Sequence, residues 1–265
     1  MPENVSVGDK TTATANEIIR VEVGSTAHGI ADGTTEDLDL MAVYLETPEQ
    51  LLGLTPHAEH YVSRTKPEGA RSGPGDVDFT AYGLRKFLRL ATAGNPTVLM
   101  VLYGDRVHRS TPVGEELRRL APSIVSRRAG RRFLGYLDGQ LERMRGGGSQ
   151  ARVPNRPELV ERYGYDVKYA SHALRLACQG IELIDTGSLT LPMRGEARDL
   201  CRDMRSGRFT KGEADDIVDG MRSILAARVN ADGGPLRPEP DMDAVNQFSI
   251  DAHLSHWRRG EEVAR

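Results

Sequence analysis

The pattern of apolar and polar positions changes character near the middle of the chain. In the first half, short apolar runs such as 16–22 and 38–45 are separated by turns rich in glycine and polar residues. Beyond Val113 the apolar residues recur at helical spacing, most clearly at 166–186 and 210–227. These patterns predict an α/β (α+β) fold, in which a small mixed sheet is flanked by helices and followed by a mostly helical C-terminal domain.

The change in pattern places a domain boundary after residue 112, between an N-terminal domain of residues 1–112 and a helical domain of residues 113–265. The first 15 residues are polar and rich in threonine, so residues 1–15 are predicted to form a loose arm. Residues 64–75 combine glycines and prolines with basic residues. That segment is interpreted as an exposed connector or, alternatively, as a lid beside a binding site.

The stretch from 21 to 45 carries the densest candidate chemistry. It is predicted as a strand, a glycine turn, a short helical segment and a second strand. Residues two apart on a strand share a face, so the side chains of Asp37 and Asp39 are expected to project side by side. Two carboxylates this close repel each other unless a cation lies between them, and a hard, oxygen-preferring ion such as Mg²⁺ is expected. In the turn, Gly24 permits an unusual backbone angle, and Ser25 offers a hydroxyl and an N–H to phosphate oxygens.

A Gly-Ser pair followed about a dozen residues later by Asp-x-Asp on a strand resembles the signature of the DNA polymerase beta-type nucleotidyltransferase superfamily. Here the motif consists of Gly24, Ser25, Asp37 and Asp39, with Glu36 at a position where the superfamily often has serine. The resemblance implies that residues 1–112 form the catalytic domain of a nucleotidyltransferase, with a nucleoside triphosphate as substrate.

A second run, from 76 to 105, strengthens this resemblance. An aspartate precedes a Thr-x-x-x-Leu-Arg-Lys-Phe helix that ends in Gly-Asn-Pro, which resembles a branch of predicted bacterial and phage nucleotidyltransferases, some of them linked to RNA repair. The resemblance implies that Asp78 is the third carboxylate of the site. Asp76 shares its strand face by the two-residue period and is the alternative.

The helix predicted at 165–179 carries a second group of candidates. Lys168, His172 and Arg175 stand at i, i+4 and i+7 and therefore share one helical face, where they suit the β- and γ-phosphates of a nucleotide. The alternative is a solvated basic face. The same branch carries a similar Tyr-Asp-x-Lys-x-x-x-His-x-x-Arg run, and this implies that the helical domain closes one side of the nucleotide cleft.

Nucleotidyl transfer is served by two metal ions that clamp the attacking and leaving oxygens. Asp37 and Asp39 are expected to bridge two Mg²⁺ or Mn²⁺ ions, and Asp78 to complete one of them and serve as general base. The resemblance implies that an NMP is moved to an RNA end, such as that of a tRNA, with release of pyrophosphate. The alternatives are NMP transfer, as AMP or UMP, to a protein or small molecule, and a non-catalytic nucleotide-binding regulator.

Composition adds few constraints. The chain has 265 residues and a formal net charge of -3, so no global basic character marks it as a nucleic-acid binder. Arginines at 127, 128, 131 and 132 form a local basic run that would suit either a nucleic-acid backbone or a solvated helix end. His253 and His256 are interpreted as helix-face residues rather than metal ligands, and His28 as a polar turn residue.

The expected location is the cytoplasm, with no membrane partner. Cys178 and Cys201 lack metal-ligand spacing and are predicted to be buried thiols of a reducing compartment. No apolar run approaches the length of a membrane span, and the N-terminus lacks an apolar secretory core.

Overall fold

The computed structural model describes residues 5–31, 37–66, 75–146 and 156–263, and it contains a six-stranded mixed sheet flanked by helices. The strands are β1 (Val5–Val7), β2 (Glu17–Glu22), β3 (Leu38–Tyr44), β4 (His60–Arg64), β5 (Val77–Gly83) and β6 (Val107–Ser110). They lie in the order β1-β4-β5-β3-β2-β6, with β3 and β5 parallel and the other neighbours antiparallel. The predicted small mixed sheet is therefore confirmed.

The helices become longer towards the C-terminus. They are α1 (Lys10–Ala15), α2 (Gly24–Ala27), α3 (Pro48–Leu52), α4 (Leu84–Thr92), α5 (Pro96–Tyr103), α6 (Pro112–Arg119), α7 (Ala121–Ile124), α8 (Arg128–Met144), α9 (Pro157–Tyr163), α10 (Val167–Thr186), α11 (Gly195–Ser206), α12 (Lys211–Asn230) and α13 (Met242–Val263). Among the described residues no strand follows β6, so the predicted mostly helical C-terminal region is confirmed as well.

A continuous hydrophobic core joins the sheet to the C-terminal helices. It includes Ile19 and Val43 from the central strands, Phe87 from α4, and Leu174 from α10, all fully buried. Helix α10 packs against α8, α11 and α12 and is the centre of the helical region. The proposed boundary at residue 112 remains a prediction, and the core crosses it without a break.

The predicted loose arm is wrong for residues 5–15; residues 1–4 lie outside the described part of the chain. β1 pairs antiparallel with β4, with Val7 opposite Val62. The carboxylate of Asp9 then caps α1 by accepting hydrogen bonds from the backbone N–H of Thr11 and Thr12, and Ala13 of that helix is fully buried. A three-residue strand and a six-residue helix are too short to produce a clear periodic signal.

The junction after β5 also differs from the predicted boundaries. Strand β5 continues to Gly83, so the Thr-x-x-x-Leu-Arg-Lys-Phe segment, predicted as a helix, begins in the strand and becomes helical only at Leu84. Ala81 is fully buried between neighbouring strands, opposite Ala42 of β3 and Tyr61 of β4. Pairing on both sides of β5 therefore extends the strand beyond the point that helical periodicity indicates.

The segment predicted at 64–75 is only partly described. Arg64 belongs to β4 and lies opposite Asp78 in the backbone register of β4 with β5, and Lys66 follows the strand. Residues 67–74, which include most of the predicted connector or lid, lie outside the described residues.

Two arginines of the predicted basic run are held by the protein itself. Arg127 donates hydrogen bonds to backbone carbonyls of the last turn of α12 and the residues that follow it, including that of Val229 at 3.3 Å. Arg128 forms an ion pair with Glu239. Arg131 and Arg132 are exposed on α8. The run therefore serves the packing of the helical region at one end and faces solvent at the other.

His253 and His256 lie in α13, as predicted. His253 is buried, and its Nε2 atom is 2.9 Å from Oε2 of Glu46, which follows β3. The indole N–H of Trp257 donates to the carbonyl of Glu46 at 2.8 Å. The C-terminal helix is therefore fastened to the end of the central strand through polar contacts.

Cys178 and Cys201 are both buried and free, as the sequence predicts. Among the described residues, no helix combines the length and the apolar character that crossing a membrane requires.

Candidate active site

Two predicted carboxylates lie side by side on the central strands. β3 and β5 run parallel in a register that places Asp39 directly opposite Asp78, and Asp37 lies immediately before β3. Burial, followed by the charges of Asp37 and Asp78, raises the pKa of Asp39 to about 6. The three carboxylates that the sequence singles out are therefore close enough to repel one another.

The glycine turn lies against this cluster. Gly24 has φ of +77°, and a Cβ atom built on it would lie 2.1 Å from Oδ2 of Asp39. The backbone N–H of Val23 donates to the carbonyl of Asp39 at 2.8 Å. The sequence indicates that Gly24 allows a ligand to approach, and the structure shows that it also leaves room for the Asp39 carboxylate itself.

Asp78 and its alternative, Asp76, have different surroundings. Oδ1 of Asp78 is buried without a hydrogen-bond partner, and Oδ2 lies 3.8 Å from the ammonium nitrogen of Lys66. Asp76 instead accepts a hydrogen bond from the hydroxyl of Thr65 at 2.9 Å. The geometry therefore favours Asp78 over Asp76 as the partner of Asp39.

A fourth carboxylate, which sequence reasoning missed, stands next to the cluster. Glu22 ends β2, is buried, and contributes to the raised pKa of Asp39, although less than burial, Asp37 and Asp78 do. Its side chain pairs with Arg106 at 3.1 Å and lies 3.6 Å from His108. The only available signal was a charged residue at the end of an otherwise apolar strand, and that is too common to be informative.

The oxygen atoms that Asp39 and Asp78 provide are of the type that binds hard metal cations. Among the described residues, no three acidic, histidine or cysteine side chains form a ready-made metal site. Asp39 and Asp78 nevertheless provide carboxylate oxygens in register, one of them buried and unpartnered, and such oxygens are the ligands that Mg²⁺ and Mn²⁺ prefer. The nearby ammonium of Lys66 offsets part of the negative charge.

The predicted basic face of α10 turns towards the protein interior. Asp166 caps the helix by accepting from the backbone N–H of Lys168 at 2.9 Å. Lys168 and His172 are half-buried, and Arg175 is only 9% exposed. The alternative of a solvated basic face is therefore wrong for Arg175.

A buried chain of hydrogen bonds connects α10 to the glycine turn. The guanidinium of Arg175 donates to Oε1 of Gln179 at 2.7 Å, and Nε2 of Gln179 lies 3.1 Å from Nδ1 of His28. Because the amide oxygen of Gln179 already accepts from Arg175, its NH₂ group is the donor and Nδ1 of His28 the acceptor. His28 directly follows α2, so the helix and the turn are held together.

His28 and Gln179 are thus structural members of the site that sequence reasoning did not identify. His28 is a turn residue, as predicted, but it is buried rather than exposed. Gln179 stands four residues after Arg175, on the same helical face, and this spacing was the available signal.

Arg175 has no carboxylate partner within the described part of the chain. Burial lowers the pKa of Arg175 to about 10, and no carboxylate contributes to that shift. Burial, and then the charges of Arg175, Arg143 and Arg156, lower the pKa of His172 to about 3. Burial also lowers the pKa of His28 well below its usual value, followed by Arg175 and His172. Both imidazoles are therefore neutral at pH 7, and Arg175 is a buried cation that donates to the neutral amide of Gln179.

Two further arginines extend the positive region beside His172. The guanidinium groups of Arg156 and Arg143 lie 5.2 Å and 6.0 Å from the ring centre of Tyr169. Arg156 also pairs with Asp166, the cap of α10, at 3.1 Å. The start of α10 therefore presents several cations around one aromatic ring, an arrangement suited to a polyanionic ligand.

Comparisons with known proteins identify a family for this chain. Residues 10–223 match the model of a family described as the RNA repair pathway DNA polymerase beta family. Among curated protein sequences none matches the chain. Among solved structures, the chain is similar to a nucleotidyltransferase-like protein from Exiguobacterium sibiricum 255-15, with 12% sequence identity, a TM-score of 0.30, and coverage of 83% of this chain and 71% of that one.

The family model covers the glycine turn, all three aspartates and the whole of α10. A polymerase beta-like family implies transfer of a nucleotidyl group, which is the reaction that the sequence motif indicates. The chain belongs to the RNA repair pathway DNA polymerase beta family.

Proposed function

We propose that the protein transfers an NMP from an NTP to a hydroxyl group at an RNA end, with release of pyrophosphate. The observation that carries this proposal is the register of Asp39 opposite Asp78 on parallel strands, beside a glycine turn to which a buried arginine, Arg175, is linked through Gln179 and His28. The narrower expectation is that the acceptor is a tRNA.

The carboxylates take the metal-holding role in this proposal. Asp37 and Asp39 would bridge two Mg²⁺ or Mn²⁺ ions, and Asp78 would complete one of them. Bound there, the ions would polarise the α-phosphate and the attacking hydroxyl and neutralise the leaving oxygen. The hydroxyl oxygen forms a bond to the α-phosphorus, the bond from that phosphorus to the β-bridging oxygen breaks, and Asp78 accepts the hydroxyl proton.

The turn and α10 take the phosphate-binding role. Gly24 and Ser25 open α2, whose first N–H groups lack partners within the helix and can donate to phosphate oxygens. Lys168 and Arg175 would receive the β- and γ-phosphates, where negative charge increases as pyrophosphate leaves. His172 is neutral, so it would donate a hydrogen bond rather than a charge.

An RNA acceptor is supported by the RNA repair context of the family and by local charge. Although the whole chain is slightly acidic, Arg106 and His108 lie half-exposed on the edge of the sheet, beside Glu22 and the carboxylate cluster. Basic side chains there would hold the phosphate backbone of an incoming strand.

The test is incubation of the protein with each NTP labelled at the α-phosphate, with Mg²⁺ or Mn²⁺, in the presence of total RNA or total protein. We expect label to move to RNA and Asp39→Asn to abolish the transfer. Asp76→Asn is the matched control, because Asp76 is a nearby carboxylate held by Thr65, and this variant should keep its activity.

The possible outcomes separate the alternatives. Label on protein would favour an enzyme that modifies proteins, and label that remains on free nucleotide with every metal would contradict the enzyme proposal. NTP binding that needs no divalent ion would favour a non-catalytic regulator.

A further inference from the structure

One side-chain amide, that of Gln179, connects two hydrogen-bond donors between α10 and the glycine turn. Its oxygen accepts from Nη1 of Arg175 at 2.7 Å, and its nitrogen lies 3.1 Å from Nδ1 of His28. All three side chains are buried, where hydrogen bonds are stronger than in water and unmade ones are costly. The amide therefore fixes the orientation of both neighbours at once.

Gln179 holds Arg175 without neutralising it. The amide is uncharged, and no carboxylate contributes to the pKa of Arg175, which burial lowers to about 10. The one neighbour that contributes as an acid is Cys201, but its hydrogen bond with Cys178, and then burial, raise the pKa of its thiol, so the thiol is neutral at pH 7. A glutamate of the same length would give Arg175 a charged partner, so support of the fold does not by itself explain an amide at this position.

The same amide determines which nitrogen of His28 carries the proton. Burial lowers the pKa of His28 well below its ordinary value, so the ring is neutral. Because the NH₂ group of Gln179 donates to Nδ1, the proton of the ring is on Nε2.

The remaining donors of this group are open to a ligand. In the described part of the chain, Nε2 of His28 and the Nε and Nη2 atoms of Arg175 make no hydrogen bond. None of them is among the buried polar atoms that the protein closes off without a partner. Two side chains joined by one amide therefore offer N–H groups to an acceptor, and one of them carries a positive charge.

We propose that Gln179 is the positioning residue for the triphosphate chain of the nucleotide: it presents N–H groups of Arg175 and His28 to phosphate oxygens and leaves the charge of Arg175 without a partner. The identity of the ligand rests on the proposed function, and the proposal adds how its phosphates are held. Because the contacts are to the phosphates alone, the probe is tripolyphosphate with Mg²⁺, which has neither base nor sugar.

The first variant is Gln179→Glu. Its carboxylate can accept from Arg175 in the same place, but it balances the charge and cannot donate to Nδ1 of His28. We expect the affinity for tripolyphosphate to fall by about 10- to 100-fold, the range of a charge-assisted hydrogen bond, with a melting temperature within about 4 °C of the parent protein. Isothermal titration calorimetry and thermal unfolding measure the two quantities.

A second variant separates positioning from support of the fold. Gln179→Met has a similar size, removes both hydrogen bonds and leaves Arg175 charged, so the affinity should fall by only about 2- to 10-fold although the melting temperature falls. If Gln179 only supported the fold, the order would be reversed, because glutamate keeps the bond to Arg175. Gln50→Glu is the matched control: it adds the same charge on α3, where glutamate can keep the capping box with Thr47, and it should change neither quantity.

The ring of His28 gives a readout that involves no ligand. Long-range proton–nitrogen NMR correlations should show the proton on Nε2 in the parent protein and on Nδ1, facing the new carboxylate, in Gln179→Glu. A proton on Nδ1 in the parent protein would overturn the proposal. This measurement on the parent needs no variant, so it decides the question even if Gln179→Glu fails to fold.

Binding and catalysis are measured separately. Equal affinity for tripolyphosphate in the parent protein and Gln179→Glu, or no binding by the parent, would overturn the role of Gln179, whatever label transfer shows. Weaker binding in Gln179→Glu without label transfer by the parent would support the phosphate site and contradict the proposed enzyme. The two failures are therefore distinguishable.

Discussion

Two groups of charged side chains can be compared: the carboxylate cluster (Asp37, Asp39 and Asp78) and the basic cluster on α10 (Lys168, His172 and Arg175). In both, burial and neighbouring groups shift the pKa of a member away from its ordinary value, and the shifts are in opposite directions. On one side, burial and neighbouring acids raise the pKa of Asp39 to about 6. On the other side, burial and neighbouring cations lower the pKa of His172 to about 3, and burial lowers that of Arg175 to about 10. Each shift disfavours the charged form of the group. Each cluster therefore holds a buried or half-buried group whose charged form the surrounding protein disfavours, Asp39 on the acidic side and Arg175 on the basic side.

The two clusters do not neutralise each other. Among the described residues, Asp78 pairs with Lys66 rather than with any residue of α10, and Arg175 bonds to the neutral Gln179. A protein optimised only for stability would pair the charges or replace them. The difference is explained if two separate ligands complete the site, a divalent cation on the acidic side and a triphosphate on the basic side.

The largest expected effect comes from neutralising the acidic side. Asp39→Asn should reduce nucleotidyl transfer at least about 10³-fold, because metal-ion catalysis supplies several kcal/mol of transition-state stabilisation. The same change should increase the free energy of unfolding in EDTA by about 1 kcal/mol at pH 8, a figure reduced for the partial exposure of Asp39.

The pH dependence gives the sign of that second effect. Between its ordinary pKa of 3.8 and its folded value of about 6, Asp39 keeps its proton longer in the folded state, so its contribution to stability falls as pH rises through this window. The stabilisation by Asp39→Asn should therefore be present at pH 8 and absent at pH 3.5. Thermal unfolding at the two pH values measures it, and a lower melting temperature of the variant at pH 8 would contradict the proposed repulsion.

Removing a positive charge from the basic cluster should have the next largest effect, and this effect should be on NTP binding rather than on the stability of the fold. Arg175→Met should weaken NTP binding by about 10- to 100-fold, the range expected for a charge-assisted hydrogen bond. Stability should stay within about 1 kcal/mol of the parent protein, because relief of a buried charge opposes the lost bond to Gln179.

The matched control for Arg175→Met is Arg198→Met, which changes a half-buried arginine that pairs with Asp199 on α11. This variant should affect neither binding nor stability. NTP affinity is measured by titration. An unchanged affinity in Arg175→Met would show that Arg175 does not bind the nucleotide, and it would contradict the proposal that a triphosphate is the ligand of the basic cluster.

The sequence predicts different parts of the two clusters, and for different reasons. Gly24, Asp37 and Asp39 lie within one short stretch, so local strand periodicity places them together. The pairing of Asp39 with Asp78 is a contact between distant strands, and only resemblance to a known family indicated it. Spacing along α10 placed Lys168, His172 and Arg175 on one face, but not the burial of that face.

The residues that sequence reasoning missed share a property. Glu22, His28 and Gln179 are single polar residues whose importance depends on what packs against them. His28 and Gln179 are 151 positions apart and meet only because α10 docks on the glycine turn. No local pattern encodes such a contact, whereas the capping box of Thr210 with Glu213 spans only four residues, and its Thr-x-x-Glu spacing is visible in the sequence. β1 and α1 were missed because they are too short for periodicity.

The third prediction concerns Gly24, the glycine next to the carboxylate of Asp39. Gly24→Ala should destabilise the fold by roughly 1–3 kcal/mol, because it combines a left-handed backbone angle with a clash against the Asp39 carboxylate. Gly75→Ala is the matched control: Gly75 also has positive φ, +84°, but no described atom lies within 4 Å of the point that a Cβ would occupy. The difference between the two free energies of unfolding isolates the clash.

A double variant sharpens this result. If the clash with Asp39 is the cause, Gly24→Ala should be less destabilising when Asp39 is replaced by glycine, which removes the carboxylate. Equal effects in the two backgrounds would show that backbone strain alone explains the requirement for glycine.

The smallest expected effect concerns the cation beside the acidic cluster. The ammonium nitrogen of Lys66 lies 3.8 Å from Oδ2 of Asp78, and its charge opposes the rise in the pKa of Asp39. Lys66 therefore supplies some of the positive charge that a bound metal ion would supply. Lys66→Met should lower the Mg²⁺ concentration that gives half-maximal activity by up to about fivefold, the range of a partly exposed ion pair. Lys86→Met, which removes a cation near His60, is the control and should leave that concentration unchanged.

The direction of the change in Lys66→Met decides between two roles for the lysine. A lower Mg²⁺ requirement means that Lys66 competes with the metal for the carboxylates and must move away when the metal binds. A higher requirement would mean that Lys66 helps to assemble the site, for instance by holding Asp78 in place. In that case the acidic cluster would already contain part of its own counter-charge, and it would differ from the cluster around Arg175, where no carboxylate contributes.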